Sequence, residues 1–221
     1  MTERAFEQII HPVHLEYLRD LKYHAPKWIM DTEGYISEGE MWLLAGLASS
    51  VPAPLLIVEL GTYRGKSTLA LAYGSSIGSK VSIVTFDHHA TFTEPDGEQY
   101  GAQDLPAMFR NFARAPDTIG QLIRPCTMDH RTIAKLIRPQ SVGMVFIDDE
   151  HTPEAVHAAT TAWAPALTDR AIVVYHDYNY AEIQDGIQTV REPGGVLLNL
   201  VSAVGSMGIF QYTIPTTTEN V

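Results

Sequence analysis

The residues with most to offer chemically are four acids and two histidines, spread between Glu59 and Asp177. Glu59 lies at the end of an apolar run, 55–58, and leads into a turn carrying Gly61 and Gly65 before a second apolar run at 69–73. Strand, glycine turn and helix form the plan of a nucleotide-binding βα unit. The glycines let the backbone turn sharply and approach a ligand, and the helix N-terminus offers free N–H groups. A glycine turn also occurs simply to reverse a chain, so its meaning rests on its company. Asp87 ends the next strand-like run, where a carboxylate can accept hydrogen bonds from both hydroxyls of a ribose; the plainer alternative is a solvated loop aspartate. An unpaired Glu59 at an apolar strand end would be costly, and a cationic or hydrogen-bonding ligand would relieve that cost. Asp148 and Asp177 close two further apolar runs. On neighbouring strands, about 4.8 Å apart, their carboxylates can share one hard divalent cation. They could equally be strand-end caps or cofactor-positioning groups. His151 follows Asp148 by three residues, and His176 directly precedes Asp177.

Those positions need strands that end side by side. From residue 55 onward strand and helix patterns alternate: strands over 81–86, 121–123, 142–147 and 171–175, and helices over 104–115, from Asp129 to 136, from Thr152-Pro153 to 164, and over 181–190. Thr152 as N-cap with Pro153 at the first helical position is a strong start signal. The runs 196–201 and 209–212 have no helix between them and read as an antiparallel hairpin, whereas the earlier strands need helical crossovers and are parallel. The expected fold is therefore α/β, a doubly wound, mostly parallel sheet with a terminal antiparallel hairpin. In such sheets ligands bind beyond the carboxyl ends of the strands, and every acidic cluster named above falls at such an end.

Residues 1–50 read as a helical layer: a short amphipathic helix over 14–21, an irregular aromatic cover over 23–35, and a helix through 41–47 opened by a Ser37/Glu40 capping box. This layer could cover the cleft or make a homo-oligomeric contact. The division expected is a helical cap over 1–50, a ligand-binding domain over 51–214 and a polar tail over 215–221. The long segment after Asp87, with His88, His89, Pro95, Gly97 and Gly101, suits a substrate lid.

With 221 residues, 45% of them apolar and 19% charged, the chain can bury one sizeable core. A net charge of −11 disfavours nucleic-acid backbones and anionic membranes as partners. Cys126 is the single cysteine, no charged-then-apolar leader opens the chain, and no apolar run approaches membrane-spanning length. The expectation is a soluble, cytoplasmic protein.

The run Glu59-Leu60-Gly61-Thr62-Tyr63-Arg64-Gly65-Lys66-Ser67-Thr68 resembles the first motif of class I S-adenosylmethionine-dependent methyltransferases, in the E-x-G-x-x-x-G-x-S form of the small-molecule O-methyltransferases. Phe146-Ile147-Asp148 with His151, and Tyr175-His176-Asp177-Tyr178, resemble later motifs of the macrocin-type sugar O-methyltransferases. The resemblance spans roughly residues 38–213 and implies a Rossmann-like methyltransferase fold with an N-terminal helical layer. It implies that Glu59, Gly61, Thr62, Gly65 and Ser67 line the methionine end of the cofactor and that Asp87 holds its ribose. Thr127, Met128 and Asp129 would lie near the adenine, and Asp148 would border the cofactor as well as the reacting centre. It also implies a divalent metal, magnesium or manganese, on Asp148, His176 and Asp177. A carboxylate is usual where this chain has His176, and imidazole suits manganese, iron or zinc better than magnesium. His151 would be the general base. Its place beside a helix N-terminus disfavours imidazolium and keeps the ring able to accept a proton.

The reading is a metal-assisted O-methyltransferase acting on a hydroxyl of a small molecule, a sugar or natural-product intermediate. Two alternatives use the same fold: a non-catalytic S-adenosylmethionine-binding protein, and a nicotinamide-dependent oxidoreductase. The second would more often show G-x-G-x-x-G, and position 63 here is Tyr63. Base-amino methylation is disfavoured, because Asp148-Asp149-Glu150-His151 stands where those enzymes carry an Asp/Asn-Pro-Pro-aromatic run.

Overall fold

The structure is a computed structural model and describes residues 26–93, 99–191 and 195–215. The expected helix over 14–21 and the tail beyond 215 lie outside the described residues, as does most of the turn before Gly195.

Seven strands form one sheet: β1 (Leu56–Leu60), β2 (Ile83–Phe86), β5 (Ile123–Cys126), β6 (Val142–Ile147), β7 (Leu167–Tyr175), β8 (Leu197–Val204) and β9 (Met207–Thr213). A separate two-stranded ribbon, β3 (Phe92–Thr93) and β4 (Gln99–Tyr100), follows β2. The order across the sheet is β5-β2-β1-β6-β7-β9-β8. Pairing is parallel from β5 to β7, and β9 runs antiparallel to both of its neighbours. The chain lays β2 and then β5 to one side of β1 and returns to lay β6 on the other. β1 and β6 therefore flank the switch point, where open α/β sheets form their ligand crevice.

Helices cover both faces. α1 (Lys27–Met30), α2 (Glu38–Ser49), α3 (Lys66–Ile77) and α5 (Asp117–Gly120) join the apolar cluster on one face, built around Leu44, Ile57, Leu69 and Met144. On the other face α6 (His130–Ala134), α7 (Pro153–Trp163) and α8 (Ala181–Val190) pack around Val58, Val145, Trp163 and Phe210. α4 (Leu105–Arg114) leans on the first cluster through Phe112. α2 and α3 approach so closely that a Cβ on Gly74 would lie 2.0 Å from the Ala45 carbonyl oxygen. Burial on both faces explains why β6 is apolar throughout. No helix among the described residues is long and apolar enough to cross a membrane.

The capping box is present: Ser37 accepts from the Glu40 N–H, and the Glu40 carboxylate accepts from the Ser37 N–H at 2.8 Å. Thr152 caps α7 as expected, accepting from the Ala155 N–H. Three expectations shift. The strand expected over 121–123 is Ile123–Cys126 and contains Pro125. Proline argues against a strand in sequence, but β5 pairs only with β2 and an edge tolerates the missing donor. β7 begins at Leu167 rather than residue 171; Arg170 has φ +63° and the register with β6 slips there, which breaks the alternation. The cover expected over 23–35 contains the one-turn helix α1.

Candidate active site

A row of backbone hydrogen bonds aligns the carboxyl ends of five strands. Gly61 N–H donates to Phe86 O, Asp87 N–H to Cys126 O, Asp148 N–H to Leu60 O at 2.8 Å, and His176 N–H to Ile147 O at 3.0 Å. Gly61, Asp87, Asp148 and His176 thus stand side by side on one rim, with Asp177 one residue beyond. Gly61 has φ +91°, and a Cβ there would lie 1.7 Å from the Asp148 carbonyl oxygen. That approach closes the floor of the crevice. Gly65 is the N-cap of α3, in the left-handed region.

Asp87 is tied to the glycine loop: its Oδ2 accepts the Tyr63 N–H at 2.8 Å and its Oδ1 accepts the His89 N–H at 2.7 Å. Tyr63 adopts φ +47° to deliver that donor. The remaining lone pairs of Asp87 suit hydroxyl donors such as those of a ribose. Glu59 is fully buried, and its side chain turns to the α3 face of the sheet. There Oε2 accepts from the Thr68 and Thr85 hydroxyls, and Thr85 pairs with Thr62. Thr62 and Ser67 belong to this hydroxyl network around Glu59. Oε1 has no hydrogen-bond partner, a buried acceptor that fits a cationic or N–H-bearing ligand.

Burial pushes the Glu59 carboxyl up to about 7 against the pull of hydroxyls on Ser67, Thr68 and Thr85, with Asp148 adding to the rise. The folded state therefore holds this proton more tightly than the unfolded chain. Its contribution to stability is fullest below the ordinary carboxyl range and shrinks as pH rises to about 7, by about 3 kcal/mol. Thermal melts of the ligand-free protein should give a Tm that falls between about pH 5 and pH 7, and Glu59→Gln should flatten that fall. Equal slopes in the two proteins would mean that Glu59 is ionised throughout.

The acid pair lies at the ends of β6 and β7. Asp148 Oδ1 is 3.2 Å from His176 Nδ1, and Asp177 Oδ2 is 2.9 Å from the same nitrogen. His151 Nε2 reaches Asp177 Oδ2 at 3.1 Å from the open side. Two imidazoles thus flank two carboxylates. Asp148, His151 and Asp177 present donor atoms that all lie within 4.8 Å of one another, a set that can hold a metal ion. His176, the third ligand that the resemblance implies, stands against both carboxylates from the buried side, with its side chain only 6% exposed against 41% for His151. Burial disfavours a charged His176, but hydrogen bonds and charges from Asp148 and Asp177 more than offset this and push it up to about 10. Burial likewise raises Asp177, yet His151 and His176 hold it well below the usual carboxylate range. The site's demand is for positive charge between the two acids, which fits a divalent ion on oxygen and nitrogen donors.

Beyond β5, Asp129 caps α6 by accepting from the Arg131 N–H, and Met128, two residues past the strand end, is half exposed. The neighbouring contacts escaped sequence reading. Trp163 donates its indole N–H to His130 Nδ1 at 3.2 Å, which directs His130 Nε2–H to Asp149 at 3.1 Å. Only the sheet order brings those residues together. Tyr35, Tyr63 and Tyr100 form an aromatic cluster with ring centroids 5.3–6.1 Å apart. Arg64 pins the segment after β4 by pairing with buried Asp104 at 2.8 Å, and it also pairs with Glu33.

A glycine-lined crevice at a switch point, with an acid on the next strand, defines a Rossmann-like nucleotide-binding fold. A family model described as a methyltransferase domain matches residues 58–178, more than half of the chain, and the chain belongs to that family. No curated protein sequence matches it. Among solved structures it is similar to an O-methyltransferase from Bacillus cereus in complex with SAH (16% identity, 93% of each chain, TM-score 0.60). It is also similar to TomG of Streptomyces achromogenes, an O-methyltransferase involved in tomaymycin synthesis and solved with SAM (18% identity, 96% of this chain and 91% of that one, TM-score 0.58). A SAM-dependent O-methyltransferase from Thermotoga maritima has the same fold (12% identity, 88% and 74%, TM-score 0.59). At such identities the likeness speaks for fold alone.

Proposed function

We propose that this protein is an S-adenosylmethionine-dependent O-methyltransferase acting on a hydroxyl of a small molecule, of the macrocin-like, metal-assisted kind. The observation that carries the reading is the single rim on which Gly61, Asp87, Asp148 and the His151–Asp177 pair stand together. S-adenosylmethionine supplies a methyl group on a sulfonium, open to in-line attack by an acceptor oxygen. Asp87 suits its ribose hydroxyls, and Glu59 Oε1 offers a buried acceptor below the glycine loop.

His151 is the proton acceptor. With Nε2 directed at Asp177, its neutral ring carries the lone pair on Nδ1 and can take the hydroxyl proton as the methyl–oxygen bond forms and the methyl–sulfur bond breaks. Asp177 orients the ring and stabilises the imidazolium that results. A divalent ion held by Asp148, Asp177 and buried His176 would supply a lower pKa for a bound hydroxyl. The open position of His151 leaves it on the acceptor's side. Tyr35, Tyr63 and Tyr100 offer that acceptor an aromatic wall. The protein's main contribution is alignment, worth several kcal/mol in such transfers.

Calorimetry with S-adenosylmethionine and with NAD, followed by methyl transfer to a panel of sugar and phenolic acceptors, tests the reading. Binding of NAD alone would replace it with a dehydrogenase. Rigorous chelation with EDTA should abolish turnover while leaving S-adenosylmethionine affinity within about threefold, since the acid pair and the glycine loop are separate holds. Turnover that survives chelation would remove the ion from the mechanism.

A further inference from the structure

The segment matched by the family model ends at residue 178, yet the buried side of the acid pair is completed by two residues outside it, Glu40 and Ser206. Glu40 belongs to α2 in the N-terminal layer, and Ser206 to the turn between β8 and β9. Glu40 is 5% exposed. Its Oε1 accepts both the Ser206 N–H at 2.7 Å and the Ser206 hydroxyl at 2.6 Å. Its Oε2 accepts the Ser37 N–H and hydroxyl. Burial alone would raise this carboxyl, but the Ser206 and Ser37 donors hold it below its ordinary value.

The direction of these bonds has a consequence at His176. A serine hydroxyl has one proton, and Ser206 gives it to Glu40. Toward His176 Nε2, 3.1 Å away, Ser206 Oγ can therefore only accept. His176 must carry a proton on Nε2, and Nδ1 is left facing Asp148 and Asp177. In the neutral ring that places the Nδ1 lone pair between the two carboxylates, as a metal ligand requires. Metal-bound histidines commonly donate their other N–H to such an orienting partner.

We infer that Glu40 and Ser206 form a positioning relay that holds the proton on His176 Nε2 and the orientation of its ring, so that helix α2 supports the acid pair from behind. The relay rests on the proposed function only for the ion; the bond from His176 Nε2–H to Ser206 Oγ and the ring orientation it sets are properties of the protein alone. Ser206→Ala removes the hydroxyl and leaves the Ser206 N–H on Glu40, so it is the least disruptive variant. Two readouts are needed: Mn²⁺ affinity of the cofactor-free protein by electron paramagnetic resonance, and the imidazole ¹⁵N shifts of His176 in selectively labelled protein. Loss of a hydrogen bond that orients a metal-bound histidine weakens metal affinity by about 10–100-fold. The expected result is Mn²⁺ binding weakened by at least about tenfold, with the His176 Nε2 resonance leaving the position of a hydrogen-bonded N–H. Ser206→Thr, which keeps a hydroxyl, should recover both. Unchanged Mn²⁺ affinity together with unchanged ¹⁵N shifts in Ser206→Ala would overturn the relay. Should that variant not fold, Glu40→Gln read by the same two measurements decides in the same sense. If the unmodified protein takes up no Mn²⁺, the metal reading falls, while the ¹⁵N shifts still decide the relay.

Discussion

His151→Ala is expected to lower kcat by about 10²–10⁴-fold, the range spanned by loss of a positioned general base. S-adenosylmethionine affinity should stay within about threefold, because no cofactor-rim contact passes through this side chain. The expectation follows from geometry. The ring is the more exposed of the two imidazoles, its Nε2 faces Asp177 at 3.1 Å, and Tyr180 stands edge-on to it at 6.2 Å. The experiment also separates two roles that one neutral imidazole, with its single lone pair, cannot fill together. Mn²⁺ affinity unchanged in His151→Ala assigns the ring to proton transfer, whereas a loss on the order of a hundredfold would make it the metal's ligand in place of His176. Full activity in the variant would move the base elsewhere.

Among the described glycines, Gly61→Ala should be the most damaging single substitution. The new Cβ would meet two backbone atoms of Asp148, the carbonyl oxygen at 1.7 Å and its carbon at 2.6 Å, and neither can move without parting β1 from β6. The residue also sits at φ +91°, which a side chain rarely tolerates. Overpacking and left-handed strain each cost about 1–3 kcal/mol. A loss on the order of 4 kcal/mol in urea unfolding is therefore expected, large against the total stability of a single domain. S-adenosylmethionine binding should fall with it, as the crevice opens at its floor. Gly39→Ala is the control. A Cβ there meets nothing within 4 Å, and its unfolding midpoint should match or exceed that of the unmodified protein. Equal stability of the two variants would mean that the β1–β6 approach is looser than described.

Both variants probe places where the chain crosses itself, and there the limits of sequence reading are clearest. Local rules were legible because their partners lie within four residues. The Ser37–Glu40 capping box, the Thr152–Pro153 start of α7 and the glycine turn after β1 each write their geometry into consecutive positions. Strand-end acids were legible too, since an apolar run that stops on aspartate marks both an element and its exit. Asp87, Asp148 and Asp177 accordingly stand beyond the ends of β2, β6 and β7.

Side-chain direction and long-range pairing were not legible. The motif places Glu59 at the strand end, but only the fold shows that Oε2 turns beneath α3 into a hydroxyl network and leaves Oε1 open. Two histidines near two acids could be read from the motifs, but which one is buried depends on the closing hairpin. The bond from Ser206 to Glu40 spans 166 positions and leaves no trace in either neighbourhood. Sequence by itself determined the elements, their parallel winding and the row of acids, because those follow from periodicity and chain connectivity. Only the tertiary structure decided which side chains share a proton or could share an ion, because such contacts depend on sheet order and helix docking, which bring together residues with no local relation.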